Sequence, residues 1–318
     1  MWVGDSHVKH LYYMVKGRFA PSPTGRMHLG NVFCALLSWL SAKSQGGEWL
    51  LRIEDIDPSR SRQAYADWLM DDLDWLGLTW DGEPVYQSQR SAIYEHYYYL
   101  LYQQGLTYPC YCTRADLLAT QAPHESDGRV VYKGICRHLP TRSSQPAATR
   151  LIVPDQTVTF QDGHYGTQTV NLAREIGDFI ICRKDGAWAY QLAVVVDDAL
   201  MGVTEVVRGR DLLLSSPQQM YIASLLGFSS PSFTHLPLLC NAAGQRLSKR
   251  DRSLDMACLR QHHTSSDIVG LLAYMAGLRP TPQPICPTDL IDSFSWDRIP
   301  RQDIVMTEKH NSQLFCQR

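Results

Sequence analysis

The stretch Gly17-Arg18-Phe19-Ala20-Pro21-Ser22-Pro23-Thr24-Gly25-Arg26-Met27-His28-Leu29-Gly30-Asn31 decides the fold. It reads as the end of a buried strand, a loop governed by proline and glycine, and the start of a helix. Pro21 and Pro23 fix φ and remove two backbone donors, so no regular ladder runs through the loop. Gly25 and Gly30 let the backbone turn tightly or approach a ligand. Downstream, Val32, Phe33, Leu36, Leu37 and Leu40 share one face at helical spacing, and Gly46-Gly47 ends the run. A strand, a glycine loop and a helix N-terminus together suit nucleotide phosphates, because amides and the helix dipole face the anion.

The chain has 318 residues, which suggests about two domains at ~150 residues each. Hydrophobic residues make 44% and charged residues 19%, an ordinary globular composition. A formal charge of −2 argues against a strongly basic nucleic-acid binder and leaves room for a local basic face. No apolar run approaches ~18 residues, so no membrane partner is expected. The first residues lack a secretory pattern, and a cytoplasmic location is expected. Nine scattered cysteines then point to a reducing compartment, with any local cluster suggesting metal. Residues 1–13 are expected to be an extension or an upstream start, because Met14-Val15-Lys16 makes a sensible beginning of its own.

Residues 48–53 read as a buried strand that delivers Glu54, Asp55 and Asp57 to its carboxyl end, where α/β sheets bind ligands. Such acids suit an amine or an adenosine-related group. Asp57 reads as a turn acid with Arg60 as partner, and Glu54 as functional. Helices are expected around residues 64–76 and 91–104, with Tyr97, Tyr98 and Tyr99 serving packing rather than base stacking. Cys110, Cys112 and Cys136 have the local spacing of a tetrahedral, structural zinc site. By chemistry alone the fourth ligand stays open among His138, His124 and the less usual Tyr132. Residues 157–160 and the Asp162-Gly163 turn suggest a hairpin. Residues 178–183 form an alternating run, and residues 192–196 continue apolar into Asp197-Asp198. Residues 203–207 are one more buried strand, ending in Arg208-Gly209-Arg210-Asp211, so this region reads as the second half of a doubly wound sheet. Ser216-Pro217 is expected to cap a helix that Gly227 stops. Residues 241–250 form a basic glycine-containing loop in which Ser248 and Lys249 could clamp phosphate. A last amphipathic helix covers residues 267–276.

His28-Leu29-Gly30-Asn31 resembles the HIGH signature of class I aminoacyl-tRNA synthetases, with Asn31 where the signature ends in His. Residues 18–25 are similar to the glutamyl branch of that class. Residues 52–57 resemble its RIEDTD segment, and residues 190–211 its Y-x-L-A-x-V-x-D-D and V-x-R-G-x-D pattern. Residues 246–250 resemble the KMSKS loop, with Arg246 for the first Lys and Arg250 for the last Ser. The resemblance covers about residues 15–255. The Cys-x-Cys and Tyr-x-x-x-Cys element, and the lack of room for an anticodon-binding domain, narrow it to the short glutamyl-Q tRNA(Asp) synthetase family.

That resemblance implies an α/β fold: a Rossmann-type doubly wound parallel-sheet catalytic domain with a small zinc-binding insertion and a C-terminal, mainly helical region. The implied boundaries are 14–108 and 146–215 for the two catalytic halves, 109–145 for the insertion and 216–318 for the region carrying the KMSKS-like loop. The implied reaction is ATP-dependent activation of L-glutamate without tRNA, then transfer to the cyclopentenediol of queuosine in the anticodon of tRNA(Asp). Two other readings are a truncated glutamyl-tRNA synthetase charging a tRNA 3′ end and a non-catalytic RNA-binding relic. By the same match His28 and Lys249 are catalytic. Arg18, Phe19, Ala20, Pro21, Ser22, Glu54, Tyr190 and Arg208 bind glutamate. His28, Gly30, Asn31, Arg246, Leu247, Ser248 and Lys249 bind ATP. Cys110, Cys112, Tyr132 and Cys136 hold one structural Zn²⁺, with His138 as second choice for the fourth place. Mg²⁺ accompanies ATP, and a monomer is expected.

Overall fold

The computed structural model describes residues 14–113, 116, 131–140, 145–247 and 254–306. Strands β1 (Lys16–Phe19) and β2 (Glu48–Ile53) pair in parallel, and helix α1 (Leu29–Ser44) connects them. Gly17 lets helix and strand approach closely, since a Cβ there would lie 3.1 Å from Ala42 Cβ. The apolar face read from the sequence is the buried face of α1: Val32, Phe33, Leu36, Leu37 and Leu40 are all buried. Beneath it Phe19 stacks on Trp49, 5.9 Å between rings, and the Trp49 indole N–H donates to Ser38 Oγ at 3.0 Å. Fully burying an aliphatic or aromatic side chain of this kind contributes roughly 1.5–3 kcal/mol.

Helix α2 (Gln63–Trp75) ends before Gly77, whose φ of 75° makes it the stop read from the sequence. Strand β3 (Val85–Tyr86) adds to β2 in parallel, and α3 (Ser91–Gln103) follows. Its most buried residues are Tyr94 and Leu101, while Tyr97 and Tyr98 pack at half-buried positions and Tyr99 is exposed. Next comes an antiparallel sheet of β4 (Thr107–Cys110), β5 (Ala148–Leu151) and a later strand. The predicted hairpin is β6 (Thr157–Asp162) with β7 (Gly166–Asn171), and β8 (Phe179–Cys182) completes the antiparallel sheet.

Helix α4 (Tyr190–Leu200) corrects the reading of residues 192–196 as a continuation of the strand run. A short apolar run looks alike in a buried strand and a buried helix, and the valines tilt it toward strand. Here Leu192, Ala193, Val194, Val195 and Val196 are all buried, so the segment shows no polar face to betray its period. Strand β9 (Glu205–Gly209), helix α5 (Ser215–Leu226) and strand β10 (Ser232–Leu236) form a parallel unit, and β6 lies beside β10. The two parallel sheets meet where β9 lies beside β1: Thr204 N donates to Lys16 O and Lys16 N to Thr204 Oγ1, both at 2.9 Å. This is the mixed α/β architecture with parallel sheets that was expected. Ser216 does not cap α5, because the preceding turn runs straight into the helix; Gly227 (φ 72°) does stop it.

Strand β11 (Leu239–Cys240), helices α6 (Met256–His262) and α7 (Ser265–Met275), and β12 (Ile304–Val305), paired with β11, make the largely helical and irregular C-terminal part. Among the described residues no helix is long and apolar enough to cross a membrane.

Candidate active site

The carboxyl ends of β1, β2 and β9, with the first turn of α1, enclose a cleft of about 660 Å³. Arg18, Phe19, Ala20, Pro21, Ser22, His28, Asn31, Glu54, Tyr190, Arg208 and Arg246 all line it. Gly30 and Leu247 line a smaller hollow of about 140 Å³ that shares His28, Asn31 and Arg246. The fold thus gathers residues spread from 18 to 247 into one place. Ser248 and Lys249 lie outside the described residues, as do His124 and residues 1–13. The described residues on either side of 248–253 sit beside α1. Leu247 N donates to Leu239 O, and Met256 N donates to Met27 O while Asp255 bridges His28.

His28 caps α1. Its Nδ1 accepts from Gly30 N at 3.1 Å, so the ring proton sits on Nε2. Asn31 Oδ1 accepts from His28 N at 3.2 Å, which closes a capping box. Asn31 therefore serves the helix in place of the signature histidine and keeps its amide NH₂ for the cleft. The amides of Gly30, Asn31 and Val32 all donate to His28, so the helix offers the cleft fewer amides than the sequence suggested. A Cβ at Gly30 would meet the His28 ring at 3.0 Å, so only glycine leaves that ring in place.

A buried ionic network forms the floor. Arg52, fully buried, bonds Asp198 at 2.6 Å and Glu54 at 3.3 Å, and Arg18 reaches the same Asp198 oxygen at 3.3 Å. Asp197 accepts from Arg90 at 2.6 Å and from Gln87 and Tyr94 at 2.7 Å each. Burial lifts Glu54 above the usual carboxylate range, against the pull of Arg52 and Arg18. Asp57 is held by Arg60 and Arg183, each at 3.0 Å, as a turn acid should be. Arg26, which lines the cleft, and Arg260 on α6 both bond the buried Asp72 of α2 at 2.8 Å. Cys34 also lines the cleft, but burial pushes its thiol up to about 12, so it supplies no thiolate near neutral pH.

Arg208 stands apart. Its possible ion pairs with Asp197 or Asp211 do not form: Asp197 serves Arg52 and Arg90, and Asp211 pairs with Arg246. Arg208 is 4% exposed and bonds only neutral acceptors. These are Gln219 Oε1 at 2.8 Å, Ser216 Oγ at 2.7 Å, Tyr190 Oη at 3.3 Å and His235 Nε2 at 3.2 Å. Burial pulls its pKa below the usual arginine value, the mark of a cation short of a counter-charge. Among these partners Tyr190 alone reads from the sequence as a site residue, and Ser216 reads only as a helix cap. Gln219 and His235 carry no local signal, although the Asp197-Asp198 doublet ending an apolar run did hint at the floor.

Away from the cleft, Cys110, Cys112 and Cys136 place their sulfurs within 4.8 Å of one another. Tyr132 Oη lies 3.5 Å from Cys110 Sγ and 3.6 Å from Cys112 Sγ, and accepts from Cys136 N at 2.9 Å. Arg150 stacks on the Tyr132 ring at 3.9 Å. His138 is exposed and outside this group. Burial pushes the Cys112 thiol up to about 11, so a cation would be needed to hold that sulfur as a thiolate. Three soft sulfurs and one oxygen around a small space fit zinc.

Residues 14–269 match the family of class I tRNA synthetases (E and Q), catalytic domain. The glutamyl-Q tRNA(Asp) synthetase of Nitratidesulfovibrio vulgaris is 44% identical over 309 residues, covering 92% of this chain and 95% of that protein. Its counterpart from Neisseria gonorrhoeae is 43% identical over 298 residues, covering 92% and 99%. A solved glutamate tRNA ligase from Elizabethkingia meningosepticum, in complex with its amino acid, superposes with a TM-score of 0.79 at 26% identity. That match covers 95% of this chain and 68% of the larger ligase. By its motifs, its sheet and these matches, the chain belongs to the class I tRNA synthetases of the glutamyl and glutaminyl group, in the glutamyl-Q tRNA(Asp) synthetase family.

Proposed function

We propose that this ligase activates L-glutamate with ATP in the absence of tRNA and then transfers it to the cyclopentenediol of queuosine in the anticodon of tRNA(Asp). The observation that carries glutamate is Arg208: a buried guanidinium without a carboxylate partner among the described residues, at the wall of the cleft that also holds His28. A substrate carboxylate supplies the missing charge. Tyr190 accepts from Arg208, which leaves its hydroxyl proton to donate to the same carboxylate. Arg18, which lines the same cleft and bonds Asp198, takes the second carboxylate, and the substrate ammonium meets Glu54, whose charged form it favours. The names of the relatives support the queuosine acceptor.

The chemistry is in-line attack of the glutamate α-carboxylate on the ATP α-phosphorus, with pyrophosphate leaving. The protein positions the reactants and stabilises charge on phosphate oxygens. His28 donates from Nε2 and Asn31 from its amide, and Lys249 supplies a cation to the same phosphates. Arg246 and Leu247 meet ATP in the hollow they share with His28 and Gly30, and Phe19, Ala20, Pro21 and Ser22 shape the wall under the substrate. Mg²⁺ enters with ATP and shares the phosphate charge. A hydroxyl of the acceptor then attacks the acyl carbon of the mixed anhydride, forming the ester as the acyl–phosphate bond breaks and AMP leaves.

Labelled glutamate and ATP should be offered with two tRNA pools, one from cells that make queuosine and one from cells that do not. Label confined to the queuosine pool is expected, and none with a Lys249→Ala enzyme. Equal label in both pools would mean 3′-end charging; no label in either would mean a non-catalytic protein.

We also propose that Cys110, Cys112, Tyr132 and Cys136 hold one structural Zn²⁺, which would cross-link β4 to the insertion and leave no open position for chemistry. Elemental analysis of the purified chain should give about one zinc per chain, and Cys136→Ser should lose it together with thermal stability. A metal-free protein after growth in zinc-supplemented medium would rule the site out.

A further inference from the structure

We infer that Asp162 and His235 form a buried positioning relay that fixes the rotation of the Arg208 guanidinium and thereby sets selectivity for a carboxylate over an amide. The inference rests on Arg208 receiving the substrate carboxylate, as proposed above. Arg208, Asp162 and His235 come from three adjacent strands, β9, β6 and β10, and all three side chains are buried.

The protonation pattern is forced. Arg208 Nε can only donate, so His235 Nε2, 3.2 Å away, must accept. The ring proton then sits on Nδ1 and donates to Asp162 Oδ2 at 2.5 Å. Asp162 is fixed in turn by the backbone N–H groups of His164, Tyr165 and His235 at 3.0, 2.8 and 3.2 Å. His235 Nε2 also accepts from the Ser216 hydroxyl at 3.3 Å, and the far end of the chain is bolted to backbone. A doubly protonated His235 would set an N–H against the Arg208 N–H, so the carboxylate holds the tautomer rather than a charged imidazole.

The consequence is directional. Arg208 has five N–H groups, and four meet His235, Gln219, Tyr190 and Ser216. One N–H on Nη2 remains for a ligand. Without the acceptor at Nε the planar fork can rotate and spread its donors, and a neutral amide competes better with a carboxylate. His235 touches no substrate in this arrangement; it acts through Arg208.

The test is pyrophosphate exchange by the full-length enzyme with glutamate, and separately with glutamine. His235→Leu removes the acceptor, whereas His235→Gln can present an amide oxygen to Arg208 Nε. For His235→Leu the KM for glutamate should rise about tenfold or more, the KM for ATP should stay within about twofold, and glutamate-over-glutamine selectivity should fall. His235→Gln should restore most of the loss. Asp162→Asn is the second variant, read the same way if His235→Leu does not fold. Equal changes in both KM values, or no change in a folded variant, would overturn the relay. If Arg208→Ala itself leaves the KM for glutamate unchanged, the carboxylate reading of the cleft falls first, and the relay with it.

Discussion

Arg208→Ala is expected to cut glutamate-dependent pyrophosphate exchange by about 10³-fold, while the KM for ATP moves less than about threefold. Truncating one partner of a buried, hydrogen-bonded charge pair costs about 2–5 kcal/mol, and every 1.36 kcal/mol is tenfold. The upper half of that range applies here, because the guanidinium is 4% exposed and water cannot substitute for it. Arg208→Lys should recover little. An ammonium carries three donors at a point, and cannot meet Gln219, Ser216 and His235 while holding a carboxylate.

The same reasoning separates binding from stability. No carboxylate pairs with Arg208 in the described protein, so its removal breaks no ion pair in the empty enzyme. Glutamate should therefore raise the melting temperature of the wild type and leave that of Arg208→Ala unmoved, since only a bound ligand shifts the folding equilibrium. Exchange within about threefold of wild type, or an equal loss of ATP and glutamate affinity, would remove Arg208 from the amino-acid site.

Much of this site was legible because its residues lie at the ends of elements with strong local signals. The Gly17–Asn31 stretch, the strand carrying Glu54 and the strand carrying Arg208 each announce themselves by an apolar run followed by glycine, proline or charge. What could not be read is what lies across the sheet. Arg52 pairs with a carboxylate 146 positions away, and Arg208 leans on a histidine 27 positions on. A buried charge gives no periodic signal, and its partner is fixed by topology rather than by spacing. Helix α4 failed for a related reason: with every side chain from Leu192 to Asp198 buried, the pattern carries hydrophobicity but no period. The phosphate reading of the α1 terminus needed correction at the level of single donors, because the His28 and Asn31 capping box uses amides that the sequence alone leaves open.

Asp198→Ala should be the most damaging change to the empty protein. The carboxylate is 5% exposed and shared by Arg52 and Arg18, so its loss takes from Arg18 its ion pair and leaves Arg52 only the longer ones to Glu54 at 3.3 Å and Asp197 at 3.8 Å. Breaking one buried pair costs about 3–5 kcal/mol, a large part of a total stability of about 5–15 kcal/mol. At about 2.1 cal/mol/K of unfolding entropy per residue, a chain of 318 residues shifts by about 1.5 °C per kcal/mol, so the melting temperature should fall by about 4–7 °C. Asp198→Asn, which keeps shape but not charge, isolates the electrostatic part and gives it a pH signature. Desolvation opposes ionisation of Asp198, yet Arg52 and Arg18 overcome it and hold its pKa below the usual aspartate value. A carboxylate depressed in the folded state stabilises fully above its unfolded pKa of about 3.9 and loses that contribution as pH falls through the folded value. The gap in melting temperature between wild type and Asp198→Asn should therefore be widest near neutral pH and close below about pH 4, as the wild-type side chain takes up a proton and becomes as neutral as the amide. A gap that stays constant down to acid, or a neutral-pH gap under about 2 °C, would mean that the floor network is held by packing and not by this charge.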